Sequence, residues 1–205
     1  MIQLLSTSPL AFVIIFGGLL LSITLHEFAH CWVTDKLGDP TPRSKGRLTL
    51  DPRAHLDPLG TLMILFAGFG WGRPAPFDPY NLKNPVRDTA LIAAAGPITN
   101  IAVALLLSLL LQLGLFPTVW LQLAAFQIMA INVMLAIFNL VPVYPLDGSR
   151  ILTALLPKQT AMEYESVMMR YGTLILLFLI FPWNGVSPVS QLLSPVINMV
   201  LGILI

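Results

Sequence analysis

Charged residues are scarce in this 205-residue chain, and the first 25 residues contain none. Lys, Arg, Asp and Glu together make up 10% of the chain, whereas a typical soluble domain carries about 25%. Hydrophobic residues make up 56%, and the mean hydropathy is +0.81. These values predict a membrane protein whose surface mostly faces lipid.

Two further scarcities exclude other classes of protein. The net charge of +1 gives no basis for nucleic-acid binding, and the single cysteine, Cys31, excludes an intrachain disulfide. Cys31 follows His30, but successive helical residues point about 100° apart. We therefore predict that Cys31 is a small buried hydrophobic residue rather than a metal ligand.

Apolar runs long enough for membrane helices recur along the chain, since a spanning helix needs about 20 mostly apolar residues. The run from Leu59 to Trp71 is too short to cross comfortably and ends in Gly and Pro, which indicates a re-entrant or interfacial segment. The alternation in "RLTLDP" predicts a short strand at 47–52. A brief helix is expected at 148–156, and the spans at about 9–34, 89–115, 119–140, 171–181 and 189–205. The sequence thus predicts one all-α membrane domain over residues 1–205, with about five to six membrane segments, a re-entrant loop and a short β element near the active site.

Basic residues predict the orientation of these segments. They cluster in three connections, after the first span, after the re-entrant candidate and before the penultimate span, whereas 1–8, 116–118 and 182–188 contain no Lys or Arg. The positive-inside rule makes all three basic connections cytoplasmic. The first two can share one side only if residues 59–72 enter the membrane and return. The basic residues are Lys36, Arg43, Lys45, Arg47, Arg53, Arg73, Lys83, Arg87, Arg150, Lys158 and Arg170.

Three ionisable side chains stand near the end of the first apolar run, in "HEFAH". His26 and His30 are four residues apart, so both imidazoles share one helix face and can bind one zinc ion. Glu27 is offset from that face, where it can take a proton from the attacking water. An ionised side chain at mid-membrane costs about 2.5–3.5 kcal/mol. Chance is therefore a poor explanation for this pattern.

A third protein ligand would complete a zinc site that keeps one position open. The candidates are His55, which lies in a polar connection, Glu163 and Glu165, which lie among polar residues, and Asp147. Asp147 follows a membrane span in "NLVPVYPLDG", at the same expected depth as "HEFAH". A plain helix N-cap is the alternative role for this aspartate.

The combination of "HEFAH", "GPITN" and "NLVPVYPLDG" resembles the site-2 protease family of intramembrane zinc metalloproteases, in order and spacing. "DPRAHLDPLGT" and "WGRPAPFDP" are similar to the segments that follow the metal helix in compact bacterial members, without PDZ or CBS domains. The resemblance implies His26, His30 and Asp147 as ligands of one Zn²⁺, and Glu27 as the catalytic general base. It also implies a polar role near the metal for Asn100.

Asn100 has two interpretations from the residues themselves. Its amide could contact substrate or stabilise an oxyanion, or it could form a structural hydrogen bond between helices. Asn139 has a similar ambiguity, whereas His55 is interpreted as structural or interfacial.

The resemblance implies a protease that hydrolyses peptide bonds within or near transmembrane segments of membrane-protein substrates. The expected partners are such a substrate, the lipid bilayer and a regulatory membrane protein, with no nucleic acid. We expect the protein in a bacterial plasma membrane, with its active site near the cytoplasmic side. The alternative function is an ion transporter or a metal-binding scaffold, because buried His, Glu and Asp also mark ion pathways.

Overall fold

The computed structural model describes residues 2–183 and 185–205, which are predominantly helical. The short 3-10 helix Pro79–Asn81 precedes the second long helix. The α-helices are α1 (Ile2–Thr7), α2 (Pro9–Lys36), α3 (Thr41–Ser44), α4 (Pro52–His55), α5 (Pro58–Ala67), α6 (Pro85–Gln112), α7 (Val119–Asn139), α8 (Asp147–Leu155), α9 (Lys158–Ile180) and α10 (Pro188–Leu204).

Three of the described helices, α2, α6 and α7, are long and apolar enough to cross a membrane. The 28 residues of α2 and of α6 give each helix a length of about 42 Å, which exceeds the hydrocarbon core of about 30 Å. These three predicted spans are therefore confirmed as helices of spanning length. The larger number of five to six membrane segments stays a prediction.

Helix α6 lies at the centre of the bundle, where it packs against α2, α7 and α8. Ala104 of α6 packs against Met129 and Val133 of α7 in a buried apolar core. Leu201 and Leu204 of α10 pack against the same core. The arrangement fixes α6 against both α2 and α7, so side chains from three helices can meet inside the bundle.

The connection between α2 and α6 begins and ends at the C-terminal end of α2. The buried carboxylate of Asp39 accepts hydrogen bonds from the backbone N–H of Asp78 at 2.6 Å and from Asn81 Nδ2 at 2.9 Å. Between these contacts, α5 has only ten residues, or about 15 Å of helix. It ends at Gly68, whose φ of +78° lies in the left-handed region that favours glycine. Helix α5 is thus too short to cross.

The predicted strand at 47–52 is wrong: the described residues contain no strand there, and no sheet elsewhere. Only single β-bridges occur among them, one between Leu56 and Gly72. The buried Arg47 side chain donates instead to the carbonyl oxygens of Arg73 at 2.7 Å and Pro74 at 3.2 Å. A strand needs a partner strand along its length. Here the contact is made by the Arg47 side chain and not by a ladder of backbone hydrogen bonds.

The region after α7 turns sharply before α8, as its prolines predict. Helix α8 begins at Asp147 and packs against α6, and a Cβ on Gly148 would lie 2.2 Å from the carbonyl oxygen of Leu140, the residue that follows α7. Only glycine permits this approach, which brings Asp147 toward the bundle. Helix α9 begins at Lys158, earlier than the expected Tyr171, because its first half is polar but still helical.

Candidate metal centre

His26 and His30 lie one turn apart on α2 and point into the bundle. Both are buried, at 6% and 5% exposure, and their Nε2 atoms are 3.0 Å apart. The rings meet edge to face, with an interplanar angle of 83°. The spacing of four residues, which predicted a shared face, therefore brings one nitrogen of each imidazole to the same point.

Asp147 reaches this point from the first turn of α8. Its Oδ2 atom lies 3.1 Å from His26 Nε2 and 3.4 Å from His30 Nε2. This oxygen is buried and accepts no hydrogen bond. The carboxylate faces the imidazoles, and Leu146 occupies the N-cap position of α8 without any side-chain cap. The alternative role of Asp147 as a plain N-cap is therefore not what the structure has.

Oxygen atoms of α6 form hydrogen bonds with the Nδ1 atom of each imidazole. His30 Nδ1 lies 2.7 Å from the carbonyl oxygen of Ile92, and His26 Nδ1 lies 2.6 Å from Asn100 Oδ1. Both partners are oxygens that can only accept, so each Nδ1 carries the proton in the neutral ring. Each Nε2 then presents a lone pair toward Asp147, which is the form of histidine that binds metals.

Gly96 lies between Ile92 and Asn100 on the same face of α6 and leaves room for an ion. A Cβ at this position would lie 2.5 Å from His26 Nε2 and 2.5 Å from His30 Nε2. Any other residue would therefore press directly on the two ligand nitrogens. Together with the unpartnered oxygen of Asp147, this space is an observation that a bound cation would explain.

The donor set fits zinc in both chemistry and spacing. One ligand atom from each of His26, His30 and Asp147 lies within 4.8 Å of the other two. Ligands about 2.0–2.1 Å from a tetrahedral zinc ion lie about 3.3 Å from one another. The observed separations of 3.0, 3.1 and 3.4 Å bracket this value. Two nitrogens and one carboxylate oxygen leave a fourth position for water or substrate.

Glu27 lies beside this cluster with a free carboxylate oxygen. Its Oε2 atom is buried and has no hydrogen-bond partner. The side chain is covered by the extended segment after α5, because a Cβ on Gly72 would lie 3.3 Å from Glu27 Cγ. A carboxylate oxygen with no protein donor is able to take a proton from a substrate or a water molecule.

The other candidate ligands lie outside the cluster. His55 is fully buried, and its Nε2 donates to the carbonyl oxygen of Thr49 at 2.7 Å. Burial lowers the pKa of His55 from its ordinary value, although the Thr49 hydrogen bond opposes this effect. Glu163 and Glu165 are exposed on α9, and Cys31 is fully buried within α2. The interpretations of His55 as structural and of Cys31 as a buried residue agree with these positions.

Asn100 is fully buried, with both ends of its amide bound to protein groups. Its Oδ1 faces His26 and its Nδ2 donates to Asn132 Oδ1 at 2.8 Å. Its predicted contact with substrate stays a prediction, while the interhelical hydrogen bond is present. Sequence reasoning missed Asn132, although an amide in the middle of the apolar α7 was a signal that could have marked it. It also missed Gly96 as the residue that leaves room for the ion.

Comparisons with known proteins agree with this chemistry. Residues 117–179, which include Asp147, match the model of peptidase family M50. Two similar proteins both carry the name "Putative zinc metalloprotease". YwhC of Bacillus subtilis strain 168 is 38% identical over 88% of this chain and 84% of its own length. Rip2 of Mycobacterium tuberculosis strain Erdman is 32% identical over 89% of this chain and 80% of its own length. No solved structure matches the chain significantly. Because YwhC is similar over most of both chains, the protein belongs to peptidase family M50, the site-2 protease family of intramembrane zinc metalloproteases.

Proposed function

We propose that this membrane-embedded zinc metalloprotease hydrolyses peptide bonds within or near transmembrane segments of other membrane proteins. In this proposal His26, His30 and Asp147 hold the zinc ion, and Glu27 is the general base. The observation that carries it is the convergence of three ligand atoms within 4.8 Å inside a bundle of apolar helices. The matched relatives are named as proteases, which favours hydrolysis over ion transport.

Glu27 supplies the proton transfers of the proposed reaction. When bound, zinc supplies Lewis-acid activation of water and of the scissile carbonyl. The free Oε2 of Glu27 accepts the proton of the attacking water and passes it to the leaving amine. The burial of this oxygen keeps other proton donors away until substrate and water enter.

The extended segment beside Glu27 supports a site for an unwound substrate. A peptide bond in a helix is held by backbone hydrogen bonds, so the substrate must open locally before attack. Near the base, the N–H of Arg73 donates to the carbonyl oxygen of His55 at 2.7 Å, and Arg47 holds the carbonyl oxygens that follow. We propose that the opened substrate lies against this extended segment, next to the free oxygen of Glu27. A regulatory membrane partner would act where the substrate reaches this segment.

Several observations support a cytoplasmic position for the active site in a bacterial plasma membrane. The basic connections flank the C-terminal end of α2, and the positive-inside rule makes that side cytoplasmic. Asp39 bonds to residues 78 and 81, so the chain returns to the same end of α2 after α5. We propose that α5 dips into the membrane and returns, and that α9 and α10 complete the five to six membrane segments.

A labelling experiment tests this topology. On a Cys31→Ser background, single cysteines at Ser44 and Tyr80 should both react with a membrane-impermeant reagent from the cytoplasmic side. Both positions are exposed, Tyr80 at 97%, and they flank the segment that is proposed to dip in. A cysteine at Trp120, which is 68% exposed at the start of α7, should react from the opposite side. Labelling of residue 80 from outside would mean that the chain crosses fully between residues 44 and 80.

Mapping the cleavage position tests the proposed function itself. His30 is six residues from Lys36, the last residue of α2, which is about 9 Å along the helix. The site should therefore lie in the cytoplasmic leaflet, and cleavage of a model single-span substrate in vesicles should fall in the cytoplasmic half of its span or just beyond. Mass spectrometry of the products identifies the bond, and chelation of zinc should stop cleavage. No cleavage by zinc-loaded protein, or cuts in the extracytoplasmic half, would contradict the proposal.

A further inference from the structure

A row of buried polar side chains connects α7 to the metal cluster through α6. Asn132 and Asn100 are both fully buried, and the distances along the row are 2.8 Å from Asn132 Oδ1 to Asn100 Nδ2 and 2.6 Å from Asn100 Oδ1 to His26 Nδ1. His30 reaches its orientation differently, through the single backbone carbonyl of Ile92. His30 is thus oriented by a backbone carbonyl, and His26 is oriented by a row of side chains.

The contacts of Asn132, the residue of this row farthest from the metal cluster, determine which atom donates and which accepts in each hydrogen bond of the row. Asn132 Nδ2 lies 2.8 Å from the carbonyl oxygen of Ile128 and 2.9 Å from Ser22 Oγ. The Ile128 carbonyl can only accept, so the amino group of Asn132 must point toward it. Ser22 donates its own hydroxyl proton to the carbonyl oxygen of Gly18 at 2.7 Å and is free to accept. The Oδ1 atom of Asn132 is therefore the atom that faces Asn100.

The orientation of the Asn132 amide in turn determines the tautomer of His26. Because Asn132 presents an acceptor, Asn100 must turn its amino group toward Asn132 and its oxygen toward His26. His26 must then carry its proton on Nδ1, which leaves the lone pair of Nε2 aimed at Asp147, 3.1 Å away. A reversed Asn100 would place its oxygen against Asn132 Oδ1 and turn its amino group toward His26 Nδ1, which would then have to accept. A buried polar group without a partner costs about 1–3 kcal/mol, so the reversed arrangement is disfavoured.

We infer that Asn132 is a positioning residue of the zinc site, which fixes the Nδ1–H tautomer of His26 through Asn100 although it touches neither the ion nor its ligands. The inference rests on the proposed function, since it assigns the two amides a role in how His26 holds zinc. Outer hydrogen-bond partners of a metal ligand typically contribute 10–100-fold in metal affinity. Asn132 lies one side chain further out and controls the direction of such a partner.

Replacement of Asn132 by leucine, which has a similar size, tests this role in the full-length protein in detergent micelles. Asn100 Nδ2 then loses its 2.8 Å acceptor and keeps only the longer contact, 3.5 Å, with the carbonyl oxygen of Ser22. We expect the zinc affinity, measured by competition with a chromophoric chelator, to fall by about 10–100-fold. Long-range ¹H–¹⁵N NMR spectra of the metal-free protein should show a single Nδ1–H tautomer of His26 in the wild type and both neutral tautomers in Asn132→Leu.

A further variant separates positioning from packing. Ser108→Ala removes a different buried hydrogen bond of α6, to the carbonyl oxygen of Leu204. It has no route to His26, and its zinc affinity and tautomer should not change.

The outcomes separate this inference from the proposed function. If the wild-type protein binds zinc and Asn132→Leu keeps either the wild-type zinc affinity or the wild-type tautomer of His26, the positioning role is wrong. The proposed function is then unaffected. An equal loss of affinity in Ser108→Ala also overturns the positioning role, because packing would then be the cause. Absence of zinc from the wild-type protein overturns both.

Discussion

Replacing Glu27 by glutamine is expected to lower turnover by about 10²–10⁴-fold, the usual contribution of a general acid–base group, while zinc remains bound. Glutamine fills nearly the same space but cannot accept the proton of the attacking water. Glu27 is not part of the three-residue ligand cluster, so the metal should stay in place. The measurement is the initial rate of cleavage of a membrane-embedded model substrate, with the zinc content of the same preparation.

Glu165→Gln is the matched control for this experiment. It makes the same chemical change on the exposed face of α9, away from the cluster. Its rate and its zinc content should both equal those of the wild type. A Glu27→Gln variant that cleaves at the wild-type rate would show that another group takes the proton.

Replacing Asp147 by alanine is expected to remove most of the zinc and, with it, the activity. The variant loses the one carboxylate whose Oδ2 lies 3.1 Å and 3.4 Å from the histidine nitrogens. Loss of a direct ligand should reduce zinc affinity by more than the 10–100-fold that an outer hydrogen-bond partner typically contributes. Elemental analysis of purified protein after dialysis measures the zinc retained per chain.

His55→Ala is the comparison for the loss of Asp147. His55 is also buried and ionisable, but its imidazole bonds to the Thr49 carbonyl oxygen rather than to the cluster. Zinc should therefore stay in this variant even if the connection around residue 55 loosens. The opposite pattern, with zinc kept in Asp147→Ala and lost in His55→Ala, would make His55 the third ligand.

The long helices and two of the three residues of the candidate metal site followed from local properties of the sequence. Length and apolar content predicted α2, α6 and α7 to within a few residues, because a helix satisfies its own backbone hydrogen bonds and needs no partner. The pairing of His26 with His30 was equally local, since residues four apart share a helix face. The strand predicted at 47–52 failed for the converse reason. Strands exist only through pairing, and the alternation of side chains could not reveal that a partner is absent.

The tertiary structure decided which distant residues complete the site. Asp147 was one of several candidates in the sequence, and it reaches the histidines because α8 packs against α6 and Gly148 lies close to the residue that follows α7. Asn100 and Asn132 are 32 positions apart and gain their roles only from the register of α6 against α2 and α7. Sequence spacing along one helix determines which residues share a face. The packing of helices determines which faces meet, and this depends on side-chain volumes and close approaches such as Gly96 that no local pattern records.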